Sequence, residues 1–277
     1  MPTTDALLHA AISGAADDLT LTLDAGFQGL PDTAHGGTLL AVFDGLADAA
    51  APREIVGHYR RRVPLGVPLT LDVTRGAGHL TCRVLDQAAT VLVEGTVEAA
   101  APTDVAAVPG LVDTPLPVSR TCFACGIDNA IGLRARLSFD ARTVGGSWKP
   151  DSRFVTADGR LATVALTTLL DETAFWLGAL ATGESGMTTE LRVTLHAGAA
   201  AGGPIRIAGE RAAVRPRADD NRYWETRVGA WDEGGRLLAQ AAITFVAVRG
   251  TARRLVSGLL GINPREIVQR VFPAYTA

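Results

Sequence analysis

Residues 34–44 read Ala34-His35-Gly36-Gly37-Thr38-Leu39-Leu40-Ala41-Val42-Phe43-Asp44, and this stretch predicts the helix around which the fold is organised. A histidine and two glycines precede an apolar run, and the carboxylate of Asp44 lies inside that run. A polar residue directly before such a run is typical of a helix N-terminus. The segment from Leu161 to Glu172 repeats the layout and carries two carboxylates, Asp171 and Glu172. We therefore expect two buried helices, each at the centre of its own sheet.

The composition limits the classes of protein to which the chain can belong. It has 277 residues, of which 47% are hydrophobic and 20% charged, and this balance excludes a disordered chain. The net charge of −3 gives no electrostatic reason to expect a nucleic acid or a membrane as partner. No apolar run approaches the ~20 residues of a membrane-spanning helix, and the N-terminus lacks the pattern of a signal peptide. Because only three cysteines occur, we expect a cytoplasmic protein.

The order of the predicted elements indicates an α+β fold that arose by duplication. The first helix should run from His35 to about Ala51 and the second from about Arg160 to Leu180, and four strand-like runs follow each helix. This pattern predicts four successive parts of the chain. They are an N-terminal domain at residues 1–100, a proline- and alanine-rich linker at 101–120, a C-terminal domain at 121–249, and a helical tail at 250–277.

Two motifs resemble those of a known family. One reads Phe27-Gln28-Gly29-Leu30-Pro31-Asp32-Thr33-Ala34-His35-Gly36-Gly37 and, with Asp44 after it, is similar to the phenylacetate-pathway type of hotdog thioesterase. The other reads Cys122-Phe123-Ala124-Cys125-Gly126-Ile127-Asp128-Asn129-Ala130-Ile131-Gly132-Leu133. It resembles the Cys-Phe-x-Cys-Gly-x-x-Asn-Pro-x-Gly-Leu motif of the same superfamily, with Ala130 in place of proline. The chain therefore resembles a double hotdog protein of the acyl-CoA thioesterase superfamily, of the 4-hydroxybenzoyl-CoA thioesterase kind.

This resemblance implies a fold and an activity. The fold would be two tandem hotdog units, each a long helix wrapped by a curved antiparallel sheet, arranged as a pseudo-dimer. The activity would be hydrolysis of an acyl-CoA thioester by carboxylate-assisted attack, with the amides of a helix N-terminus as the oxyanion hole. No resident cofactor or metal is implied, since coenzyme A is part of the substrate. Two chains could associate further into a homodimer.

The spacing of Gly36 and Asp44 decides how the catalytic groups are expected to pair. Eight residues of helix span about 12 Å, whereas an attacking carboxylate must come within roughly 3–3.5 Å of the reacting carbon. One helix therefore cannot supply both groups to one substrate. The antiparallel helix pair that the resemblance implies predicts two mixed sites instead.

The first mixed site would combine the amides of Gly36 and Gly37 with Asp171, or with Glu172. Glycines lack a Cβ and would let a thioester approach those amides closely. The second site would combine Asp44 with the amides near Thr163 and Val164. Two β-branched side chains would crowd a thioester there, so the first site is favoured and Asp44 is expected to be vestigial or structural.

Each candidate residue also has a structural explanation. His35 could cap its helix or contact the substrate, and Asp44 and Asp171 could be buried, hydrogen-bonded acids without a catalytic role. Glu172 could equally face a hydroxyl group on a strand. The spacing of Cys122 and Cys125 resembles that of zinc ligands, but two further ligands are missing nearby, so packing is favoured and no metal is expected.

Two arginine groups could hold the phosphates of coenzyme A, although a solvated strand face is the favoured interpretation. They are Arg60, Arg61 and Arg62 in the first half and Arg206, Arg211, Arg215, Arg217 and Arg222 in the second.

Two alternative functions stay open. A hydratase or dehydratase acting on acyl-CoA is less favoured, because the sequence lacks the Gly-Asp-x-Asn-Pro-x-His-like loop of those hotdog proteins. A non-catalytic protein that binds acyl-CoA is the other alternative, because the second half has lost the Gly-Gly pair.

Overall fold

The computed structural model of the chain describes residues 2–15, 18–47, 49–101, 114–196 and 202–276. The predicted linker at 101–120 therefore falls mostly outside the described residues. Its end, from residue 114, is described and includes a short strand. The predicted domain boundaries stay predictions.

The first half of the chain contains two helices and six strands. They are α1 (Thr4–Ala10), β1 (Ile12–Ala15), β2 (Asp18–Leu21), α2 (Gly36–Leu46), β3 (Arg53–Tyr59), β4 (Leu69–Gly76), β5 (His79–Leu85) and β6 (Val91–Ala99). A short 3-10 helix, Ala25–Phe27, precedes α2. The predicted helix begins where the sequence places it but ends at Leu46 rather than near Ala51.

The second half contains the longest helix and eight strands, followed by two helices at the C-terminus. They are β7 (Thr114–Pro115), β8 (Ser138–Phe139), β9 (Thr143–Trp148), α3 (Thr163–Thr182), β10 (Gly186–Leu195), β11 (Ile205–Glu210), β12 (Arg215–Pro216), β13 (Tyr223–Trp231), β14 (Leu237–Ala247), α4 (Ala252–Leu260) and α5 (Arg265–Val271). Further 3-10 helices are Ser152–Phe154, Arg211–Ala213 and Pro273–Tyr275.

All the strands of the described residues belong to one antiparallel sheet. Its order is β1-β2-β4-β5-β6-β3-β10-β14-β13-β11-β9-β8-β7, with β12 paired to β13. The halves of the chain meet where β3 pairs with β10, with Ile55 opposite Val193. This pairing makes the sheet continuous across the molecule and brings α2 and α3 side by side.

The two central helices lie against the sheet and against each other. Helix α2 packs on β3 and β6, and α3 packs on β10, β11, β13 and β14. The buried apolar side chains of both helices belong to one continuous core. Such helices are stabilised mainly by burial rather than by intrinsic propensity.

Helix α3 corrects one expectation from the sequence. By length and composition its 20 residues could cross a membrane, contrary to the prediction that no apolar run would be long enough. However, 83% of its apolar window is buried inside the protein. That burial is the property of a core helix, and it agrees with apolar residues on nearly every face.

Candidate active site

The N-terminus of α2 is built from His35 and two glycines. His35 is the N-cap residue, and its Nδ1 accepts a hydrogen bond of 3.2 Å from the amide of Gly37. The amide of Gly36, the first helical residue, donates no hydrogen bond within the described part of the chain. Free amides at a helix start are donors with a partial positive charge. The Gly36 amide is therefore the available donor at this end of the helix.

The two glycines are required by the closeness of α3. A Cβ on Gly37 would stand 2.5 Å from the backbone carbonyl of Thr167, and a Cβ on Gly36 would stand 2.7 Å from Oδ2 of Asp171. Neither distance is compatible with a side chain. The closeness of the helices therefore accounts for Gly37 without a substrate, and the expectation that Gly37 admits a substrate stays a prediction. Its missing side chain leaves room for the helix crossing, whose contact also includes a bond from the Thr167 hydroxyl to the Gly37 carbonyl.

Asp171 projects from α3 onto the start of α2, as the cross-helix pairing predicts. Its Oδ2 accepts a bond of 3.2 Å from the Gly37 amide and lies 3.3 Å from Nδ1 of His35. Its Oδ1 accepts a bond of 2.7 Å from the hydroxyl of Thr188. Burial raises the pKa of Asp171, while the charge of His35 and the Thr188 hydroxyl oppose that rise. The position of this carboxylate is thus set by three neighbours.

Glu172 is the second buried acid of the site. Its Oε1 accepts a bond of 2.9 Å from the indole of Trp176. Its Oε2 lies 3.7 Å from Nε2 of His35 and 4.0 Å from Sγ of Cys122. The structure therefore places Glu172 against a tryptophan, a histidine and a cysteine, rather than against a strand hydroxyl.

The histidine is held between the two carboxylates. Burial alone would lower the pKa of His35, but Glu172 and Asp171 outweigh it and raise that pKa from 6.5 to about 9. His35 is therefore protonated at neutral pH in this arrangement. In this protonated form Nδ1 has no lone pair for the Gly37 amide, which then donates to Asp171 alone, and the imidazolium supplies positive charge to a buried acidic cluster.

Two neighbours of the site were not identified from the sequence. The hydroxyl of Tyr59, at the end of β3, donates a bond of 2.7 Å to the Gly36 carbonyl, and burial raises its pKa well above 10.0. Thr188, on β10, is the partner of Asp171. Neither residue lies in a recognisable motif, because each reaches the site only through the pairing of β3 with β10.

A cavity of about 260 Å³ opens beside these groups. Gly36, Asp171 and Glu172 line its base, together with the thiols of Cys122 and Cys125. The aromatic rings of α3 and one face of α4 complete its wall, through Phe175, Trp176, Leu255, Gly258 and Leu259. Four arginines also line it, Arg61, Arg62, Arg120 and Arg254. An apolar cavity with a few convergent polar groups is the usual form of a small-molecule site.

The arginine groups of the sequence separate in the structure. Arg61 and Arg62 line the cavity, whereas Arg60 is bound to Glu94. The second group does not line this cavity. Its members take local partners, as when Arg217 pairs with Asp219 and Arg222 pairs with Asp220.

The second predicted site differs from the first. Asp44 accepts hydrogen bonds from Nε and Nη2 of Arg53 at 2.5 and 2.7 Å. It also accepts one of 2.7 Å from the hydroxyl of Thr163, rather than from a backbone amide near Thr163 and Val164. Asp44 is not among the residues that line the cavity. The expected pairing with the α3 amides is therefore wrong, and Asp44 has a structural partner in Arg53.

Comparisons with known proteins identify the fold. No family profile matches the sequence, and no curated protein matches it. A provisionally assigned thioesterase II from Thermobifida fusca YX superposes with a TM-score of 0.64 and 17% identity over 90% of this chain and 98% of its own. A protein of unknown function with a hot dog fold from Alicyclobacillus acidocaldarius gives 0.60 and 14% over 88% and 98%.

Further similar structures carry different activities in their names. An acyl-CoA thioesterase II, TesB2, from Mycobacterium marinum gives a TM-score of 0.56 and 14% identity over 86% of this chain and 95% of its own. The similar structures also include GphF dehydratase 1. The resemblance to hotdog proteins is thus confirmed for the fold, and the activity has to be argued from the site.

Proposed function

We propose that the chain hydrolyses acyl-CoA thioesters in the cavity at the start of α2. The observation that carries this proposal is the contact between Asp171 and the N-terminus of α2. A buried carboxylate from one helix stands beside the free amide of Gly36 on the other, and both line the same cavity. An electrophile-binding amide and a carboxylate are the two groups that thioester hydrolysis requires.

The chemistry divides among three residues. The thioester carbonyl oxygen accepts a hydrogen bond from the Gly36 amide, where the helix dipole favours the charge that develops on it. Asp171 assists the attack in one of two ways. It takes a proton from the water that adds to the carbonyl carbon, or it adds to that carbon itself and forms an anhydride that water hydrolyses once the thiol has left. The carbon–sulfur bond then breaks. His35, which is protonated at neutral pH, gives its proton to the departing thiolate.

The coenzyme A part of the substrate would bind at the arginines of the cavity. Arg61 and Arg62 form no salt bridge within the described ranges, so their guanidinium groups are free to meet phosphates. Arg60 is the matched control, because Glu94 already binds it. We expect Arg62→Ala to raise KM for an acyl-CoA but not for a short acyl thioester without the nucleotide, and Arg60→Ala to change neither.

The fold and location are part of the same proposal. The chain would be two tandem hotdog units that form a pseudo-dimer, one unit around α2 and the other around α3. The pairing of β3 with β10 would then be the seam between the units. Association of two chains into a homodimer and a cytoplasmic location remain proposals that follow from the sequence.

The experiment that tests the function follows thiol release from a panel of short, long and aromatic acyl-CoAs. Turnover of any member supports hydrolysis, and the preferred member defines the acyl group. Tight binding by calorimetry without release would instead support a non-catalytic acyl-CoA-binding protein. Absence of both release and binding would overturn the proposal.

A dehydratase is the second candidate function. It is favoured by the contact between His35 and Asp171, since a histidine and a carboxylate can exchange a proton, and by a dehydratase among the similar structures. Loss of water from a 3-hydroxyacyl-CoA creates a conjugated enoyl group with its own ultraviolet absorption. Growth of that absorption without thiol release would select this candidate over the thioesterase.

A further inference from the structure

Three buried side chains at the base of the cavity belong to the residue types that bind transition metals. They are His35, Cys122 and Glu172, and one ligand atom from each lies within 4.8 Å of the others. They come from three separate parts of the chain: the N-cap of α2, the loop after β7, and the middle of α3. The fold therefore assembles the group, which the sequence spacing of Cys122 and Cys125 did not predict.

The distances within the group are those of ligands around an ion. Oε2 of Glu172 lies 3.7 Å from Nε2 of His35 and 4.0 Å from Sγ of Cys122. Both distances are too long for good hydrogen bonds, apart from weak ones to sulfur. Ligands at the usual zinc bond lengths in a tetrahedron are about 3.4–3.6 Å apart. These two distances would need to shorten by only a few tenths of an ångström for the ligands to share one ion, and the third, between His35 and Cys122, is within 4.8 Å.

The side chains of His35 and Glu172 are each already oriented by a partner on the side away from the proposed ion. Nδ1 of His35 faces Oδ2 of Asp171 at 3.3 Å, which directs Nε2 toward the centre of the group. Oε1 of Glu172 is held by the indole of Trp176, which leaves Oε2 for the same centre. A carboxylate behind a histidine and a hydrogen bond behind a glutamate are the outer partners typical of metal ligands.

The charge of the cluster also favours a cation. Asp171 and Glu172 are both buried, and in the described residues the one basic side chain within ion-pair distance of either is His35. Buried carboxylates need compensation by a proton, a basic group or a metal. Asp44, on the other central helix, has an arginine for this purpose.

We propose that His35, Cys122 and Glu172 bind a zinc ion, with its fourth position open to the cavity. A ligand set of nitrogen, sulfur and oxygen suits zinc among the common divalent ions, and three protein ligands with one open position are typical of a reactive site. The Cys122 thiol loses its proton to solvent on binding. In the bound form the Nδ1 proton of His35 points to Asp171, and the Gly37 amide keeps its bond to the same carboxylate.

This inference goes beyond the proposed hydrolysis and concerns a second, metal-bound state of the site. With zinc on Nε2, His35 keeps a proton only on Nδ1 and is not the proton donor that it is in the metal-free site. Metal binding can also be measured without any substrate. The full chain is stripped with a chelator, and uptake of Zn²⁺ is measured by elemental mass spectrometry and calorimetry. We expect one zinc per chain. Cys122→Ser and Glu172→Gln should each lower zinc affinity at least about 100-fold, given that loss of even an outer partner costs 10–100-fold. Cys82→Ser is the matched control, since Cys82 is also buried and free but lies on β5.

Cobalt provides a second measurement on the unmodified chain. Co²⁺ bound by a thiolate has a sulfur-to-metal charge-transfer band in the near ultraviolet. We expect this band in the wild type and in Cys82→Ser but not in Cys122→Ser. Circular dichroism checks that the variants are folded. If the folded wild type takes up no zinc, or if its cobalt form lacks the band, the inference is overturned. Equal zinc affinity in a folded Cys122→Ser would overturn it as well.

Discussion

Each of the two central helices carries a carboxylate near the point where the helices cross, and the partners of these two carboxylates differ. Asp171 of α3 reaches the start of α2, where its partners are a backbone amide, a hydroxyl and a histidine. Asp44 of α2 reaches the start of α3, where Thr163 and Arg53 bind it. The first carboxylate lines a cavity and the second does not. Two helices with a similar sequence layout therefore form one open junction and one closed junction.

Arg53 accounts for most of this difference. Its Nε and Nη2 each donate a hydrogen bond to the carboxylate of Asp44, and this pairing raises the pKa of Arg53. A bidentate pair of this kind fixes the carboxylate and occupies its lone pairs. At the open junction the basic side chain beside the carboxylate is His35 instead of an arginine. Its charge can be lost by titration, and it leaves space for a substrate.

The largest effect should come from exchanging each carboxylate for its amide. Asp171→Asn should lower thioester turnover by about 10³-fold, as is typical when a carboxylate that assists attack is removed. It should cost less stability than loss of the Asp44 carboxylate, because the burial that raises the pKa of Asp171 favours a neutral side chain and Glu172 stays beside His35. Thiol release and thermal unfolding are the two measurements.

Asp44→Asn should give the opposite pair of results. Turnover should stay within about two-fold of the wild type, while stability should fall by about 2 kcal/mol because Arg53 is left partly buried without its anion. If Asp44→Asn abolished turnover and Asp171→Asn did not, the assignment of the open junction would be reversed.

The next effect concerns the glycine at the helix crossing. Gly37→Ala should destabilise the chain by about 3 kcal/mol, because its Cβ would meet the backbone of Thr167 at 2.5 Å and backbone cannot move aside easily. Gly45→Ala, in the same helix, is the matched control. A Cβ there would meet only His9, at 3.9 Å, so its helix propensity should make the variant neutral or slightly stabilising. Urea unfolding of both variants checks the difference, and equal stabilities would contradict it.

Much of this fold could be predicted from the sequence. The apolar runs at Thr38–Asp44 and Val164–Asp171 predict two buried helices, and strand patterns follow each of them. The cross-helix contact between Asp171 and Gly37 needs one thing more: distance excludes one helix as the source of both groups, and the antiparallel helix pair is what the resemblance to hotdog proteins implies. The helices, the strands and the excluded pairing depend on period and distance, which the sequence contains.

The remaining features depend on pairings that no local pattern contains. Arg53 lies only nine residues after Asp44, but nothing in its surroundings indicates that its side chain turns back to that acid. Tyr59 and Thr188 reach the site through the register of β3 and β10. Helix α4 covers the cavity only because the C-terminal tail docks there. The apolar positions of the tail do not by themselves specify the place where it docks.

In the metal-free chain the charge of His35 should make stability depend on pH in a defined window. Its pKa rises from 6.5 to about 9 on folding. Its protonation therefore stabilises the chain fully below about pH 6.5, and this contribution is lost as the pH rises through about 9. The loss should approach about 3 kcal/mol, since each pKa unit corresponds to about 1.4 kcal/mol.

Urea unfolding across this range measures the effect, with His35→Gln as the comparison. The variant should show a much flatter profile. A hydrogen bond with Cys125 lowers the pKa of the Cys122 thiol, which lies within 4.8 Å of His35, so both proteins are also measured with Cys122→Ser. Arg53 at the closed junction keeps its charge throughout. A wild-type profile as flat as that of His35→Gln would show that the histidine carries no extra proton.

The smallest effect comes from the two hydroxyl groups that bind the carboxylates, and it separates the junctions most finely. Thr188→Val removes the 2.7 Å bond to Asp171, and Thr163→Val removes the 2.7 Å bond to Asp44. Each should cost about 1 kcal/mol of stability, the usual net value of one hydrogen bond. Only Thr188→Val should also lower turnover, by about 5- to 10-fold, since the freed carboxylate leaves its position and its pKa rises further. Its pH–rate profile should therefore rise at a higher pH than that of the wild type, whereas the Thr163→Val profile should not move. A shift of both profiles would mean that the closed junction takes part in turnover, and a shift of neither would mean that Thr188 serves only the packing of β10 against α3.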